Sequence, residues 1–215
     1  ASGVPVVTAT VATSGTQPFL ARDGAELFAS DQQHGVTLFD VGDPGAPACV
    51  GSFPVGCVPA RLTAAGGLLL VACDEGMVVM ERYGSVTGSG DPLAPVAAAG
   101  SEGDSGAAIA FGAGPPPVAW LGTVGSGIVA YGLTDPAEPV EVCRLDGASD
   151  LESVFDLVVV EGRLVAAGTR PDADGTPAIV VWDIADPTLP VRQGSVDLTL
   201  AGAPLYGLDL VVPGL

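Results

Sequence analysis

Short apolar runs closed by turn residues recur along the whole chain. Four of them share a small first residue, an apolar stretch and a bulky side chain in the fifth place: residues 35–40, 76–81, 127–132 and 178–183. Runs of this kind, about four to eight residues long and rich in β-branched and aromatic side chains, are typical of buried strands. The pattern predicts an all-β protein in which each run is one strand of a repeated unit.

A hairpin is predicted ahead of each of these strands. In the first unit, residues 19–22 turn at Asp23-Gly24 into residues 25–29, and an Asp-Gly pair is a strong signal for a tight hairpin. The equivalent pairs are 61–64 with 68–72, 107–111 with 118–121, and 155–160 with 163–167. Each unit therefore has a first, a second and a third strand in antiparallel order.

Each third strand is followed by an Asp-Pro-x-x-Pro pentapeptide, at residues 43–47, 91–95, 135–139 and 186–190. The Asp accepts hydrogen bonds from the backbone just ahead of it, and the first Pro presets φ for a turn. The second Pro cannot donate to a hydrogen-bond ladder, so it suits the start of an edge strand. We expect each pentapeptide to be a tight connection to an outermost fourth strand.

The first residues of the four pentapeptides are 48, 44 and 51 positions apart. Periods of roughly 20 to 50 residues are typical of repeat arrays, and four antiparallel strands per repeat describe the blade of a β-propeller. The sequence predicts a single β-propeller domain or propeller fragment over residues 1–215, with blades at about 12–54, 57–99, 104–145 and 153–197.

Two partial units stand at the ends of the sequence. Residues 5–11 match a fourth strand and residues 205–212 match a first strand. A blade made of only these two strands would leave open edges, which tend to pair with other strands. We therefore expect the partner to be the remaining propeller blades, from the same or another chain, or a different protein.

The repeats resemble those of the LVIVD-repeat β-propeller family of bacterial and archaeal surface proteins. The resemblance is carried by residues 179–183 with the turn at 186–190, and by residues 36–40 with the turn that ends at Pro47. This sequence departs from the family pattern at Glu81 and Gly132, where the family has an Asp. The resemblance implies an extracellular or cell-surface propeller, in a family without one shared activity or shared catalytic residues.

Composition adds the sign of the surface charge. The chain has 25 acidic residues against 7 basic ones, all of them Arg, and a formal net charge of −18. Such a negative surface repels phosphate backbones and anionic lipid. No apolar run approaches the roughly 18 residues of a membrane span. Nucleic-acid partners and membrane insertion are therefore not expected.

No two of the four cysteines form a C-x-x-C pair, which argues against a zinc ribbon or a thioredoxin-type site. Cys57 lies in the connection that precedes a first strand and Cys73 at the end of a second strand, two places on the same face of one propeller blade. A disulfide between them and two reduced buried thiols both remain open. Cys49 and Cys143 lie in equivalent fourth strands and are interpreted as unpaired core residues.

Two short motifs suggest chemistry that their surroundings do not support. Residues 103–106 read Gly-Asp-Ser-Gly, like the nucleophile segment of chymotrypsin-like serine proteases, but the one histidine, His34, lacks the neighbours that this resemblance demands. His34 could instead ligate a metal together with Asp31, although transition-metal sites usually need three or four ligands. A solvated loop histidine is the favoured interpretation.

A calcium site is the one cofactor that the sequence suggests. Asp172 and Asp174, in an Asp-x-Asp-Gly run, could supply oxygen ligands to Ca²⁺, although no distal Glu completes an EF-hand loop. A plain hairpin turn built from Asp and Gly is the alternative.

In a propeller, the loops between fourth and first strands and between second and third strands share one face. We call this the acidic face. Its candidate ligand- or partner-binding residues are Asp31, His34, Asp74, Glu75, Asp104, Asp150 and Glu152. An acidic mouth attracts cations or a basic partner. The alternative is that acidic residues are simply common in the loops of this chain.

Few side chains are suited to acid–base catalysis, since the chain has one His, no Lys and no nucleophile–base pair. The sequence favours a non-enzymatic extracellular or cell-surface module for protein binding or structure, with no catalytic residues. The alternative is a propeller enzyme, a metal-assisted hydrolase or lyase that uses the acidic central mouth.

Overall fold

The computed structural model describes residues 7, 9–11, 19–31, 35–82, 92–100, 105–112, 114–146, 150–172 and 174–198. Within these ranges the chain forms sixteen β-strands and no helix. The strands make four antiparallel four-stranded sheets, here called sheets 1 to 4 in chain order, and strands that follow one another in sequence are neighbours in each sheet. None of the described residues belongs to a helix long and apolar enough to cross a membrane.

The strand bounds follow the predicted repeats. Sheet 1 contains β1 Leu20–Asp23, β2 Glu26–Asp31, β3 Gly35–Asp40 and β4 Ala48–Phe53. Sheet 2 contains β5 Pro59–Ala65, β6 Leu68–Cys73, β7 Gly76–Arg82 and β8 Leu93–Ala99. Sheet 3 contains β9 Gly106–Gly112, β10 Val118–Thr123, β11 Gly127–Gly132 and β12 Val140–Asp146. Sheet 4 contains β13 Ser153–Val160, β14 Arg163–Thr169, β15 Pro177–Asp183 and β16 Val191–Asp197.

The tight turn predicted for the pentapeptide is confirmed in sheets 1, 3 and 4. Oδ1 of Asp43, Asp135 and Asp186 accepts a hydrogen bond from the backbone N–H two residues ahead, at 2.8, 2.9 and 2.9 Å. In each case the fourth strand begins directly after the second proline of the motif. The proline therefore stands where its missing N–H removes no ladder hydrogen bond.

Sheet 2 departs from the predicted turn at residues 91–95. Its fourth strand, β8, already begins at Leu93, so Pro95 lies inside the strand, opposite Met80 and next to a register shift between Val79 and Met80. Strand β7 also runs one residue beyond the repeat, to Arg82. The longer connection that follows Arg82 frees Leu93 to pair with it, and Pro95 is tolerated because β8 is the edge strand of its sheet.

The acid stability of one of these turns can be predicted from its hydrogen bonds. The Thr188 hydroxyl and backbone N–H both donate to Asp186 and lower the pKa of its carboxyl below the ordinary value of 3.8. Because the pKa is lowered in the folded state, the interaction stabilises above pH 3.8 and is lost as the pH falls through the folded pKa. We expect Thr188→Val to raise the pKa of Asp186 in an NMR titration and Thr134→Val, an exposed control, to leave it unchanged.

Three apolar clusters join the sheets in a linear order. Sheets 1 and 2 meet through residues that include Phe28, Leu38 and Leu69. Sheets 2 and 3 meet through a cluster with Leu70 and Leu121, and sheets 3 and 4 through one that includes Trp120, Leu164 and Trp182. Strand β6 illustrates the pattern, because alternate residues face sheet 1 and sheet 3 and all six are buried.

The described strands do not close this row of sheets into a ring. The inner strands pack in sequence, β1 against β5, β5 against β9 and β9 against β13. Between the described strands of sheet 1 and those of sheet 4 there is no comparable packing. The predicted partial strands fall outside the described residues, except for Val7 and residues 9–11, which are not in a strand.

Sheets 1 and 2 are also joined by a partly buried ion pair. The Arg82 guanidinium, at the end of β7, contacts the carboxylates of Asp23 and Glu26, which flank the first hairpin turn of sheet 1. Its side chain is 16% exposed and that of Glu26 is 20% exposed. Water therefore screens this pair less than an ordinary surface pair.

Removing this guanidinium should cost more stability than removing a surface one. We expect Arg82→Ala to lower the free energy of unfolding by about 2 kcal/mol, because it leaves the Glu26 carboxylate partly desolvated and without its cation. Arg144→Ala is the matched control: Arg144 pairs with Glu141 within one strand, at 32% and 43% exposure, and should cost less than about 1 kcal/mol. Urea unfolding of both variants provides the comparison. Equal costs would refute a special role for the inter-sheet pair.

Candidate binding surfaces

The loops of the predicted acidic face do contact one another in the structure. The carbonyl of Glu152, ahead of β13, accepts hydrogen bonds from the N–H groups of Gly125, in the loop between β10 and β11, and of Gly127, the first residue of β11. In sheet 2, Asp74 Oδ1 accepts a hydrogen bond from the N–H of Val58 at 3.1 Å. The connections between sheets thus lie against the loops between second and third strands, as the repeat register predicts.

The predicted residues of this face divide into three groups. The exposed acidic residues are Asp74, Glu75 and Glu152, together with Asp172 and Asp174 in the loop between the second and third strands of sheet 4. His34 and Asp104 lie outside the described residues. Asp31 and Asp150 are described but sit in surroundings that differ from an open acidic loop. The acidic face is therefore formed by sheets 2 and 4 in the part of the chain that the structure describes.

Asp31 does not lie in a loop, as its place in the repeat suggests. It is the last residue of β2, in register with Gly35, and it is 4% exposed. Asp150 is only partly exposed, and its Oδ1 lies 2.8 Å from Arg192 Nε and 3.8 Å from Arg170 Nη1. Two guanidinium groups therefore offset the charge of Asp150, so its contribution to a negative surface is small.

Asp172 is held in the hairpin turn that the sequence offers as the alternative to calcium. Its Oδ1 accepts a hydrogen bond from the N–H of Thr176 at 2.9 Å, and this bond is the main cause that lowers the pKa of its carboxyl. The described residues contain no group of three or more His, Cys, Asp or Glu side chains that could hold a metal ion. The described part of the chain supplies no third His, Cys, Asp or Glu ligand for the Ca²⁺ site predicted at Asp172 and Asp174.

Cys57 and Cys73 are joined by a disulfide, with their Cα atoms 5.9 Å apart. Cys73 ends β6 and is buried in the cluster between sheets 1 and 2, and Cys57 packs partly buried against the same cluster. The bond ties the connection that leaves sheet 1 to the second strand of sheet 2. Cys49 and Cys143 are free thiols, but Cys49 is exposed on an outermost strand, so its interpretation as a core residue is wrong.

The structure also shows a second surface, which the sequence does not predict. In sheet 4, the side of the central strands β14 and β15 that faces sheet 3 is buried, whereas the opposite side of the sheet carries a row of half-buried valines in register, Val158, Val165 and Val181. Ile179 and the 62% exposed Val196 are paired beside this row. We call these five residues the outer face of sheet 4. None of them belongs to the three core clusters.

The outer face has the composition of a buried sheet face. The equivalent side of β6 in sheet 2 is covered by the next sheet in the row, whereas no described sheet covers these five residues. Contiguous exposed apolar surface on a folded protein marks an interaction site more often than isolated apolar residues do. The five side chains are chemically suited to contact with another apolar surface.

Comparison with known proteins finds solved structures of similar fold and leaves activity open. No protein-family model matches the sequence, and no curated protein sequence matches it. The structure is similar to the crystal structure of the computationally designed Ika4 protein, with a TM-score of 0.58 and 14% identity over 85% of this chain and 100% of that chain. It is also similar to a protein from Lactobacillus plantarum, with a TM-score of 0.65 and 15% identity. That match covers 90% of this chain and 60% of the other, so this chain spans less than two thirds of that protein.

Proposed function

We propose that this chain is a β-propeller module for protein binding, and that its partner docks on the outer face of sheet 4. The observation that carries the proposal is the row of half-buried valines on a sheet whose central strands are buried on the other side. Four-stranded antiparallel sheets stacked side by side are the units of a propeller. In a propeller the outer face of the last described sheet would be covered by a further blade.

The partner is best matched by an apolar sheet face, as presented by the outer face of a second copy of this chain or by further blades. The second copy is the partner that the experiments test. A charged partner fits poorly, because Val158, Val165, Val181, Ile179 and Val196 offer no polar group to pair with its charge. The net charge of −18 opposes contact between two copies of this chain. Association through the outer face should therefore strengthen as added salt screens this repulsion.

Membership in the LVIVD-repeat family and an extracellular or cell-surface location are part of the same proposal. The disulfide between Cys57 and Cys73 supports an oxidising compartment, because such bonds persist mainly outside the cytosol. The strong negative charge favours neither nucleic acid nor anionic membrane as a partner. No arrangement among the described side chains favours the enzyme alternative over the binding module.

A matched pair of substitutions tests the docking surface. Val196, on the outer face, and Val140, on the outermost strand of sheet 3, are both 62% exposed, so replacing either by Asp adds the same charge at the same exposure. We expect immobilised wild-type chain to capture labelled wild-type chain and the Val140→Asp variant, but to capture the Val196→Asp variant at least tenfold more weakly. Thermal unfolding of both variants would show that they remain folded.

The proposal fails if both variants are captured as strongly as the wild type. It also fails if capture weakens with rising salt, because that dependence would indicate charge pairing instead of apolar contact.

A further inference from the structure

A cavity of about 580 Å³ lies between sheets 2 and 3, at the end of the sheets that carries the first hairpin turns and the pentapeptides. This volume falls within the range of small-molecule sites. The cavity is separate from the outer face of sheet 4, because sheet 3 lies between them. Its lining includes Ala65, Leu68 and Glu81 of sheet 2, and Phe111, Leu133 and Pro136 on the side of sheet 3.

Strand β7 directs the side chain of Glu81 into the gap between sheets 2 and 3. Successive side chains of β7 alternate, so that Val79 packs toward sheet 3 and Met80 toward sheet 1. Glu81 therefore points to the same side as Val79. It also pairs with Leu68, which packs toward sheet 3 as well. The Glu81 carboxylate thus faces the cavity that it lines.

This carboxylate is both unpartnered and accessible. Asp40 and Asp183, at the equivalent repeat position, accept a hydrogen bond from the backbone N–H two residues ahead, at 2.8 and 2.9 Å. Glu81 accepts no such bond from the described residues, because β7 continues to Arg82 where the other strands end. Its oxygens are not among the buried side-chain atoms that lack a partner, so they keep accessible surface. A molecule in the cavity can therefore reach them.

The neighbouring guanidinium does not neutralise this carboxylate. Arg82 points to the other side of sheet 2, where it contacts Asp23 and Glu26 of sheet 1. Three carboxylates thus surround one cation, which leaves the local charge negative. The side chains of Leu68, Phe111 and Leu133 and two prolines give the rest of the cavity an apolar lining.

We propose that this cavity binds a small organic cation, a protonated amine on a compact hydrocarbon body. The ammonium donates hydrogen bonds to the Glu81 carboxylate, and the apolar lining contacts the hydrocarbon. A neutral molecule forgoes the charge-assisted hydrogen bond, which is stronger than a neutral one. An anion is repelled by Glu81 and by the net charge of −18, which attracts cations to the whole surface.

Three probes with one hydrocarbon ring separate these properties: cyclohexylammonium, a cation; cyclohexanol, which is neutral; and cyclohexanecarboxylate, an anion. Isothermal titration calorimetry of the full chain, at about 0.15 M salt to screen unspecific attraction, measures their affinities. We expect cyclohexylammonium to bind saturably at one site per chain and about tenfold more tightly than cyclohexanol, the effect of one charge-assisted hydrogen bond. Cyclohexanecarboxylate should not bind.

A matched pair of variants tests the role of the carboxylate. Glu81→Gln keeps the size of the side chain and removes its charge, so it should weaken cyclohexylammonium binding about tenfold. Glu161→Gln removes the same charge from an exposed residue at the same end of sheet 4, in the turn between β13 and β14, and should leave binding unchanged. Glu81→Gln removes no contact between described residues, so the variant should fold like the wild type.

A third variant tests the place of the hydrocarbon. Leu62 and Ala64 of β5 pack toward sheet 1, so Ala65 faces sheet 3 and the cavity. Ala65→Leu adds three carbon atoms to the lining and should weaken cyclohexylammonium binding about tenfold or more, because the ring loses the space that it fills. Thermal unfolding shows whether this variant is folded; if it is not, the pair of glutamate variants still decides.

Four results would overturn the proposal. Wild-type chain that does not bind cyclohexylammonium has no such site. Equal affinity for cyclohexylammonium and cyclohexanol would remove the role of the carboxylate. Equal weakening by Glu81→Gln and Glu161→Gln would reduce the binding to general attraction by the net charge. Unchanged binding to folded Ala65→Leu would place the ligand outside the cavity.

Discussion

Replacing Gly76 by alanine should lower the free energy of unfolding by about 4 kcal/mol. Gly76 begins β7 with φ at +115°, a conformation that side chains rarely adopt. Its Cβ would also lie 2.4 Å from the carbonyl oxygen of Ala99 and 2.8 Å from the Cα of Gly100. Both contacts are with backbone, so relief requires the loop between β6 and β7 to move away from the end of β8. In a chain of this size the cost corresponds to a fall in Tm of about 8 to 16 °C.

Gly66 provides a control in the same sheet. It has φ at +61° in the turn between β5 and β6, and a Cβ there would meet nothing within 4 Å. Gly66→Ala should therefore lower the free energy of unfolding by only about 1 kcal/mol, the cost of placing an alanine in the left-handed backbone region. Gly35→Ala should behave like Gly76→Ala, because its Cβ would lie 2.3 Å from the carbonyl oxygen of Phe53. Urea unfolding measures the free energy of unfolding of both variants. Values for Gly66→Ala and Gly76→Ala within about 1 kcal/mol of each other, a difference no larger than ordinary backbone strain, would contradict this account.

Loss of the disulfide between Cys57 and Cys73 should be the second large effect. The bond closes a segment with a sequence separation of 16, for which the restriction of the unfolded chain is worth about 3 kcal/mol. A reductant should therefore lower the Tm of the wild type by about 6 to 12 °C. Cys57→Ala should lower it similarly in the absence of reductant and should no longer respond to reductant.

The free thiols supply the control for this experiment. Cys49 is exposed and unbonded, so Cys49→Ala should leave both the Tm and its response to reductant unchanged. Alkylation of the unfolded, non-reduced chain should label two cysteines, Cys49 and Cys143. Labelling of all four, together with a Tm that reductant does not change, would refute the bond.

Much of the repeat organisation is predictable from local sequence. Strands β3 and β11 have the bounds that the apolar runs predict, since small residues and Asp or Gly turns punctuate both ends. The turn at residues 91–95 is not predictable from the pentapeptide alone, because the length of the connection before it decides whether Leu93 pairs. The sequence wrongly places Asp31 in a loop for a similar reason. Strand β2 extends beyond its apolar run, and its last residue, Asp31, still pairs with Gly35 of β3.

The binding surfaces are less predictable than the strands. Ile179, Val181 and their neighbours in β15 form a continuous apolar run like that of β6, and such a run has the same appearance whether one or both faces are covered. Only the packing of the sheets shows that sheet 4 has one covered face.

The mass of the wild-type chain in solution tests the central claim most directly. Sedimentation equilibrium over a range of protein concentrations, at about 0.15 M salt and again at higher salt, measures whether the outer face of sheet 4 associates. The account predicts a mass that rises above 21.1 kDa with concentration, and rises further when salt is added. A single species of 21.1 kDa at every concentration and salt level would contradict it.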